Sequence, residues 1–131
     1  MKHLNQVFSW AKLQPPIFRI RVAAGLQVKR NFIIATNSTR SHPFAKKYQK
    51  NQHAIHLHAE THCLVKTFQA GYDIKDLRDS TMYIARAILD PYTHEYRYGM
   101  CRPCVGCERA LIDFEVGHVF FTTEKGIEQL W

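Results

Sequence analysis

The sequence predicts a layered α/β domain, because stretches with the apolar period of a helix alternate with stretches that have the period of a strand. An amphipathic stretch comes first, a hairpin pattern follows, and two helical stretches then each precede a strand. The length of 131 residues predicts a single domain, residues 1–131, with one core. Apolar residues at 46% and charged residues at 22% exclude wholesale disorder.

The first half of the chain predicts a helix, a hairpin and a loop. The helix covers residues 3–13, its apolar face carries Leu4, Val7, Phe8 and Ala11, and Pro15 ends it. In "IFRIRV", residues 17–22, apolar and charged side chains alternate as in a half-buried strand. A turn near residues 29–31 leads into a buried second strand. Residues 37–52 are polar and basic, and Pro43 favours a loop there.

The second half predicts two further helices and three strands. A helix over residues 58–70 ends at Gly71, which takes the C′ position. The stretch "TMYIARA" is a third strand, and an irregular loop follows over residues 88–102. A helix then begins in "PCVGCERALIDF", with Pro103 in its first turn. The stretch "HVFFTT" is a fourth strand, and a turn at residues 124–126 precedes a last strand, "IEQLW".

The termini and the cysteines favour a cytoplasmic protein that does not contact membranes. The first 16 residues lack the apolar core of a signal peptide, and no apolar run approaches the ~20 residues needed to span a bilayer. In a reducing compartment the four cysteines are metal ligands, nucleophiles or core residues rather than disulfides.

Two cysteines in "PCVGC" form one half of a candidate metal site. Cys104 and Cys107 are three residues apart, so their side chains project from the same face of a helix. They also lie in its predicted first turn, where unpaired N–H groups and the positive dipole end favour the thiolate. Redox proteins share the C-x-x-C pattern, although here Pro103 precedes the pair instead of lying within it.

The stretch "HAE", residues 58–60, forms the other half. At the first turn of a helix His58 and Glu60 can reach one cavity, although in mid-helix they would point about 200° apart. His58, Cys104 and Cys107 would leave the fourth tetrahedral position of a zinc ion open for water, as in catalytic zinc sites. Glu60 would stay off the metal, take the water's proton and return it to the substrate.

Together the two halves match the H-x-E … P-C-x-x-C signature of zinc-dependent deaminases. The sequence therefore resembles the cytidine/deoxycytidylate deaminase superfamily, and more loosely the short deaminases encoded by bacteriophages. The resemblance runs from Phe18 onward. It implies a three-layer α/β/α sandwich with a mixed four- to five-stranded sheet, located in the host cytoplasm if phage-encoded. It also implies a homo-oligomer, to which exposed aromatic residues near the ends, Trp10 and Trp131, would contribute contacts.

The resemblance also implies roles for single residues. In that family the zinc ligands match His58, Cys104 and Cys107. The proton-shuttling glutamate matches Glu60, and the backbone of Ala59 would face the pyrimidine carbonyl. Asn37, at the end of the second strand, would reach the base or the sugar. The implied reaction is attack of water at C4 of cytosine with release of ammonia.

The charge favours a phosphorylated substrate. Lys and Arg number 18 against 11 Asp and Glu, a net charge of +7. In the basic stretch "TRSHPFAKKYQK", Arg40 and His42 would bind a 5′-phosphate, unless the stretch is only a solvated loop. Tyr98, in "YTHEYRYG", would stack on the base or gate the pocket. We therefore expect a cytosine nucleotide, dCMP first, ahead of a nucleoside. The short antiparallel last strand is instead more like that of the free-nucleoside enzymes.

Two other functions fit the same motifs. One is a deaminase of cytosine or adenine in single-stranded DNA or RNA, with a basic groove beside the pocket. The other is a non-catalytic module in which Cys101 joins the three ligands and closes off the metal. We expect His53 and His56 to be solvated loop residues, His62 a helix-surface residue, and Cys63 a small core residue.

Overall fold

The structure is a computed structural model that describes residues 1–14, 20–37, 43–48 and 58–131, and only the backbone of residues 45 and 46. Its elements, in chain order, are α1 (Lys2–Lys12), β1 (Arg21–Val28), β2 (Asn31–Thr36), α2 (Pro43–Lys47), α3 (Ala59–Gln69), α4 (Ile74–Leu77), β3 (Thr81–Leu89), β4 (Tyr96–Gly99), α5 (Val105–Asp113), β5 (His118–Thr123) and β6 (Gly126–Gln129).

The strands form a mixed sheet in the order β2-β1-β3-β5-β6, and β4 pairs with the end of β3. β3 and β5 run parallel, whereas the other paired strands are antiparallel. A parallel pair needs a crossover connection, and the chain between β3 and β5 contains α5. The five strands of the continuous order correspond to the expected mixed sheet, and β4 adds a sixth.

The first helix layer is α1, which covers one face of the sheet. Its buried face packs against the strand residues Ala23, Ala85 and Ala87. Leu4, Val7 and Ala11 retain no exposed surface in this contact. Burial of a Leu or Val side chain contributes about 1.5–3 kcal/mol. The predicted amphipathic helix is therefore confirmed, with the predicted face turned to the sheet.

The other helix layer lies on the opposite face of the same strands. Neighbouring residues of a strand point to opposite faces, and Ala24, Leu26 and Ile84 accordingly pack in a second cluster with Leu64 of α3 and Leu111 of α5. The sheet is thus covered by helices on both faces. This confirms the three-layer α/β/α sandwich. Within the described ranges, no helix is long and apolar enough to cross a membrane.

Turn residues end several elements where the sequence predicts. β1 and β2 form the expected hairpin, and Lys29 in its turn has a φ of 52°. Gly71, with a φ of 97°, follows the last turn of α3 as predicted. The alternating residues 17–19 and the stop at Pro15 lie outside the described residues.

Other elements differ from the predictions. Residues 88–102 contain β4 instead of an irregular loop throughout, because the turn after Asp90 folds the chain back onto β3. Pro43 begins the short helix α2 instead of marking a loop, since proline fits a first helical turn. Pro103 lies one residue before Cys104, the N-cap of α5, and thus outside the helix. The Trp131 indole donates to the Val116 carbonyl at 2.8 Å and packs on the core, so it is not an exposed end.

Candidate active site

Two helix starts adjoin at the end of the sheet where β1 begins and β2 ends. α3 begins after His58 and α5 after Cys104, and both N-cap residues have extended backbones, with ψ of 165° and 167°. Nδ1 of His58 lies 3.6 Å from Sγ of Cys104, so the first turns of the two helices meet. The positive ends of both helix dipoles favour thiolate at this point.

Three metal-ligating side chains converge there. Nδ1 of His58 is 3.3 Å from Sγ of Cys107, and the three donor atoms of His58, Cys104 and Cys107 lie within 4.8 Å of one another. In the described part of the chain, this is the one group of three such residues that close together. Cys107 is buried, whereas His58 and Cys104 are partly exposed at a cavity.

The distances fit tetrahedral zinc. With Zn–N near 2.0 Å and Zn–S near 2.3 Å, tetrahedral angles separate a nitrogen ligand from a sulfur ligand by about 3.5 Å. The two observed N···S distances are 3.6 and 3.3 Å. One imidazole and two thiols also form a donor set that zinc prefers. Three protein ligands leave one position for water, as in a catalytic site.

The two thiols share their protons unequally. A hydrogen bond from the Cys107 thiol lowers the pKa of Cys104 to about 4. Partial burial of Cys104 opposes this shift, and the nearby His58 adds to it. The same hydrogen bond, together with burial, raises the pKa of Cys107. Two adjacent thiols do not both ionise unless a cation lies between them. A divalent cation bound between them would let both thiols ionise.

Glu60 lies beside this centre. It is in the first turn of α3, its side chain borders the cavity, and the residue is only 6% exposed. Burial raises the pKa of its carboxyl, although the neighbouring His58 opposes the shift. A carboxyl whose pKa is raised toward neutrality is suited to accept a proton and return it.

Asn37 links the end of β2 to the start of α3. Its Oδ1 accepts a hydrogen bond from the N–H of Ala59 at 2.9 Å, and its side chain lines the cavity. His62 fixes the same junction, because its Nδ1 lies 2.7 Å from the carbonyl oxygen of Thr36. His62 is thus part-buried and joins α3 to β2, in contrast to the helix-surface residue that the sequence predicted.

The cavity has a volume of about 310 Å³. Its lining comprises Ile20, Val22, Asn37, His58, Glu60, Arg86, Met100, Cys101, Arg102 and Cys104. Sequence reasoning missed Arg86 and Arg102. A signal for Arg86 was present: in "TMYIARAIL" it follows Met82 and Ile84 on one face of the strand and breaks an apolar alternation.

One predicted substrate contact among the described residues, Tyr98, does not border the cavity. Tyr98 pairs with Ala87 on the α1 side of the sheet, and its ring packs edge-on against Phe8 at 4.8 Å. The expected role of Tyr98 at the base is therefore wrong for this cavity. Arg40 and His42 lie outside the described residues, as do His53 and His56.

The two remaining thiols are not in the metal centre. Cys63 is buried, donates to the Ile33 carbonyl at 3.2 Å, and burial raises its pKa to about 12. Cys101 borders the cavity but donates to the Ile84 carbonyl at 3.3 Å, and burial raises its pKa to about 11. Neither thiol is disposed to ionise. This argues against the closed zinc module that would use Cys101.

A His-Cys-Cys centre with an adjacent glutamate, at one end of an α/β/α sandwich, is the arrangement of zinc-dependent deaminases. A cytidine deaminase from Burkholderia pseudomallei has a similar structure, with a TM-score of 0.61 and 18% identity over 95% of this chain and 89% of that chain. A cytidine deaminase from Mycobacterium leprae is also similar, with a TM-score of 0.55 and 14% identity over 96% of this chain and 88% of that chain. No protein-family model and no curated sequence matches this chain. The chain thus has the cytidine deaminase fold, as its resemblance implied.

Proposed function

We propose that this protein is a zinc-dependent hydrolytic deaminase that converts a cytosine nucleotide, dCMP first, or a nucleoside to the uracil analogue. The observation that carries the proposal is the open three-ligand centre with Glu60 buried beside it. Three protein ligands would leave one position of a zinc ion for water, and Glu60 borders the same cavity, an arrangement that a purely structural metal site would not need.

The ligands are His58, Cys104 and Cys107. When bound, zinc lowers the pKa of a water molecule so that it becomes a nucleophile near neutral pH. Glu60 takes one proton of that water and delivers it to N3 of the pyrimidine, and it later takes the proton of the hydroxyl now on C4 and delivers it to the departing amino group. Water adds at C4, the bond from C4 to the amino nitrogen breaks, and ammonia leaves, so that cytosine plus water gives uracil plus ammonia.

Asn37 and Ala59 orient the base. Their mutual hydrogen bond of 2.9 Å joins the Ala59 N–H, at the start of α3, to the Asn37 side chain, which lines the cavity. On substrate binding, the Ala59 N–H donates to the pyrimidine carbonyl while the Asn37 amide turns to the base or sugar. Because this donor is on the backbone of a helix start, its position is fixed by α3 and does not depend on a rotamer.

Ammonia release tests the proposal with four substrates: dCMP, deoxycytidine, cytosine and a short cytosine-containing single strand. We expect turnover of dCMP, and a smaller rate with deoxycytidine. Turnover of the single strand alone would assign the protein to nucleic-acid deamination, and its rate would then fall steeply with salt. No ammonia from any of the four, with zinc shown to be bound, would refute the proposal.

A further inference from the structure

Arg86 places a positive charge on a face of β3 that is otherwise apolar. It follows Ile84 on the face of β3 that is turned to α3 and α5, where Met82 and Ile84 are fully buried. Its side chain borders the same cavity as His58 and Glu60. Neither the metal ligands nor the proposed proton transfers use this residue.

The Arg86 guanidinium has too few partners for its position. Its Nε is buried and has no hydrogen-bond acceptor. One terminal nitrogen donates to the Met100 carbonyl at 3.5 Å, the outer limit of a hydrogen bond. None of the ion pairs among the described residues includes Arg86. A guanidinium carries five N–H donors, and a buried donor without an acceptor is unfavourable, so the site lacks an acceptor that a ligand would supply.

The surrounding residues hold Arg86 in place. Its backbone N–H donates to Oγ1 of Thr122 at 3.1 Å, which ties β3 to β5 at this residue. Gly99 lies opposite on β4, and a Cβ there would lie 2.9 Å from Cδ of Arg86 and 2.7 Å from Cδ1 of Ile88. Glycine therefore leaves room for the arginine side chain to cross β4. A charge on a central strand is better positioned for recognition than one on a loop.

A second guanidinium borders the same cavity. The Arg102 side chain is 58% exposed, and its ion pair with Glu108 is long, at 3.8 Å. This ion pair therefore neutralises the charge of Arg102 only weakly. Among the described lining residues, Arg86 and Arg102 are opposed by the single carboxyl of Glu60, which borders the metal ligands. The charge of the cavity away from the metal is therefore positive.

We infer that Arg86, with Arg102 beside it, binds the phosphate of a nucleotide substrate and so selects nucleotides over nucleosides. This inference rests on the proposed deaminase function. Phosphate oxygens accept two parallel N–H bonds from one guanidinium, which would satisfy the buried Nε. The volume of about 310 Å³ is at the lower end for small-molecule sites and suits a mononucleotide better than a strand. Arg86 was not among the residues that the sequence assigned to the phosphate.

The test compares kcat/KM for dCMP and for deoxycytidine in zinc-loaded wild type, Arg86→Gln and Arg30→Gln. Arg30 lies in the exposed β1–β2 turn, outside the cavity, and loses the same charge. We expect Arg86→Gln to lower kcat/KM for dCMP by about 100-fold and that for deoxycytidine by less than about 3-fold. Arg30→Gln should leave both values unchanged. A short single strand, assayed in parallel, shows whether Arg86 serves a monoester or a strand phosphate.

A binding measurement keeps the inference independent of turnover. Calorimetry with dUMP and deoxyuridine should show dUMP binding that is lost in Arg86→Gln, and deoxyuridine binding that is retained. Arg86→Lys keeps the charge but loses the paired N–H donors of the guanidinium, so kcat/KM for dCMP should fall by about 10-fold. This variant replaces Arg86→Gln in the test if Arg86→Gln does not fold.

Equal losses for both substrates, or no loss for dCMP, would overturn the inference while the deaminase function stands. If neither dCMP nor deoxycytidine is turned over but dUMP binding depends on Arg86, the phosphate site is retained and the proposed function is refuted.

Discussion

Removing one thiol from the metal centre should abolish the stabilisation by zinc without unfolding the protein. Cys104→Ser is the suitable change, because Cys104 is the N-cap of α5 and its Sγ accepts from the Cys107 N–H at 3.5 Å. Serine is a preferred N-cap, so α5 should still begin at this position. The substitution therefore removes a zinc ligand and keeps the local backbone bonds.

The expected size follows from the number of ligands. Zinc binding at four-ligand sites contributes about 10–16 kcal/mol, or about 2.5–4 kcal/mol per ligand, which corresponds to roughly 10²–10³ in affinity. With zinc at 1,000 times the wild-type Kd, binding stabilises the fold by about 4 kcal/mol. A site weakened about 1,000-fold contributes only about 0.4 kcal/mol at the same zinc concentration. For a chain of 131 residues, the zinc-dependent rise in Tm should fall from roughly 12–20 °C to about 2 °C.

Thermal melts with zinc and with a chelator measure this difference. Cys101→Ser is the matched control, since Cys101 borders the same cavity but its thiol donates to the Ile84 carbonyl. We expect the control to keep the zinc-dependent rise of wild type. A full rise in Cys104→Ser would refute the three-ligand assignment. Loss of the rise in Cys101→Ser would instead indicate a closed site that includes this cysteine.

Three further predictions concern the proton carrier, a buried hydroxyl and the sheet. Glu60→Gln should lower kcat by at least about 10³ with zinc retained, measured by ammonia release and metal analysis, because an amide cannot carry the proton. Tyr48→Phe should lower the free energy of unfolding by about 1–2 kcal/mol at pH 9, because it removes the hydrogen bond to Asp113. Urea unfolding near pH 11 should show a smaller difference between wild type and variant. Burial, then Asp113, raises the pKa of Tyr48 from 10.0 to about 12, so the folded state holds a proton that the unfolded state loses. Wild-type stability therefore falls between these pH values, and this loss is absent in the variant. Gly25→Ala should cost about 1–3 kcal/mol in unfolding free energy, because its Cβ would lie 2.4 Å from Cζ of Phe32.

Each of these has a control or a contradicting result. The control Glu95→Gln, in an exposed turn outside the cavity, should keep wild-type turnover. If Glu60→Gln keeps more than a tenth of the wild-type kcat, Glu60 is excluded as the proton carrier. If the difference in unfolding free energy between wild type and Tyr48→Phe does not decrease above pH 10, the raised pKa of Tyr48 is contradicted. Unchanged stability of Gly25→Ala would mean that the Phe32 ring packs less closely over Gly25 than the structure has it.

Local patterns were enough to predict the elements whose periodicity and end signals agree. The apolar face of α1, the turn at Lys29 and the stop at Gly71 each follow from neighbouring residues. The same holds for "HAE" and "PCVGC", because each motif defines a helix start as well as donor atoms. Their meeting within 4.8 Å depends on how β1, β3 and the helices pack, and the motif signature was the sole sign of it.

The features that the sequence did not predict depend on tertiary contacts. β4 is four residues long and forms because the chain turns after Asp90 to pair with β3. The side of the sheet to which Tyr98 points follows from that pairing, and without it Tyr98 looked available to a base. His62 has ordinary helical neighbours, and only the packing of α3 on β2 places its ring at the Thr36 carbonyl.

The central claim is that Glu60 moves protons for a water activated at the centre formed by His58, Cys104 and Cys107. The most direct test is ammonia release from dCMP by wild type and Glu60→Gln prepared with equal zinc content. The account predicts turnover by wild type and a loss of at least about 10³ in the variant at unchanged zinc. Equal turnover by the two proteins, or none by zinc-loaded wild type on dCMP and deoxycytidine alike, would contradict it.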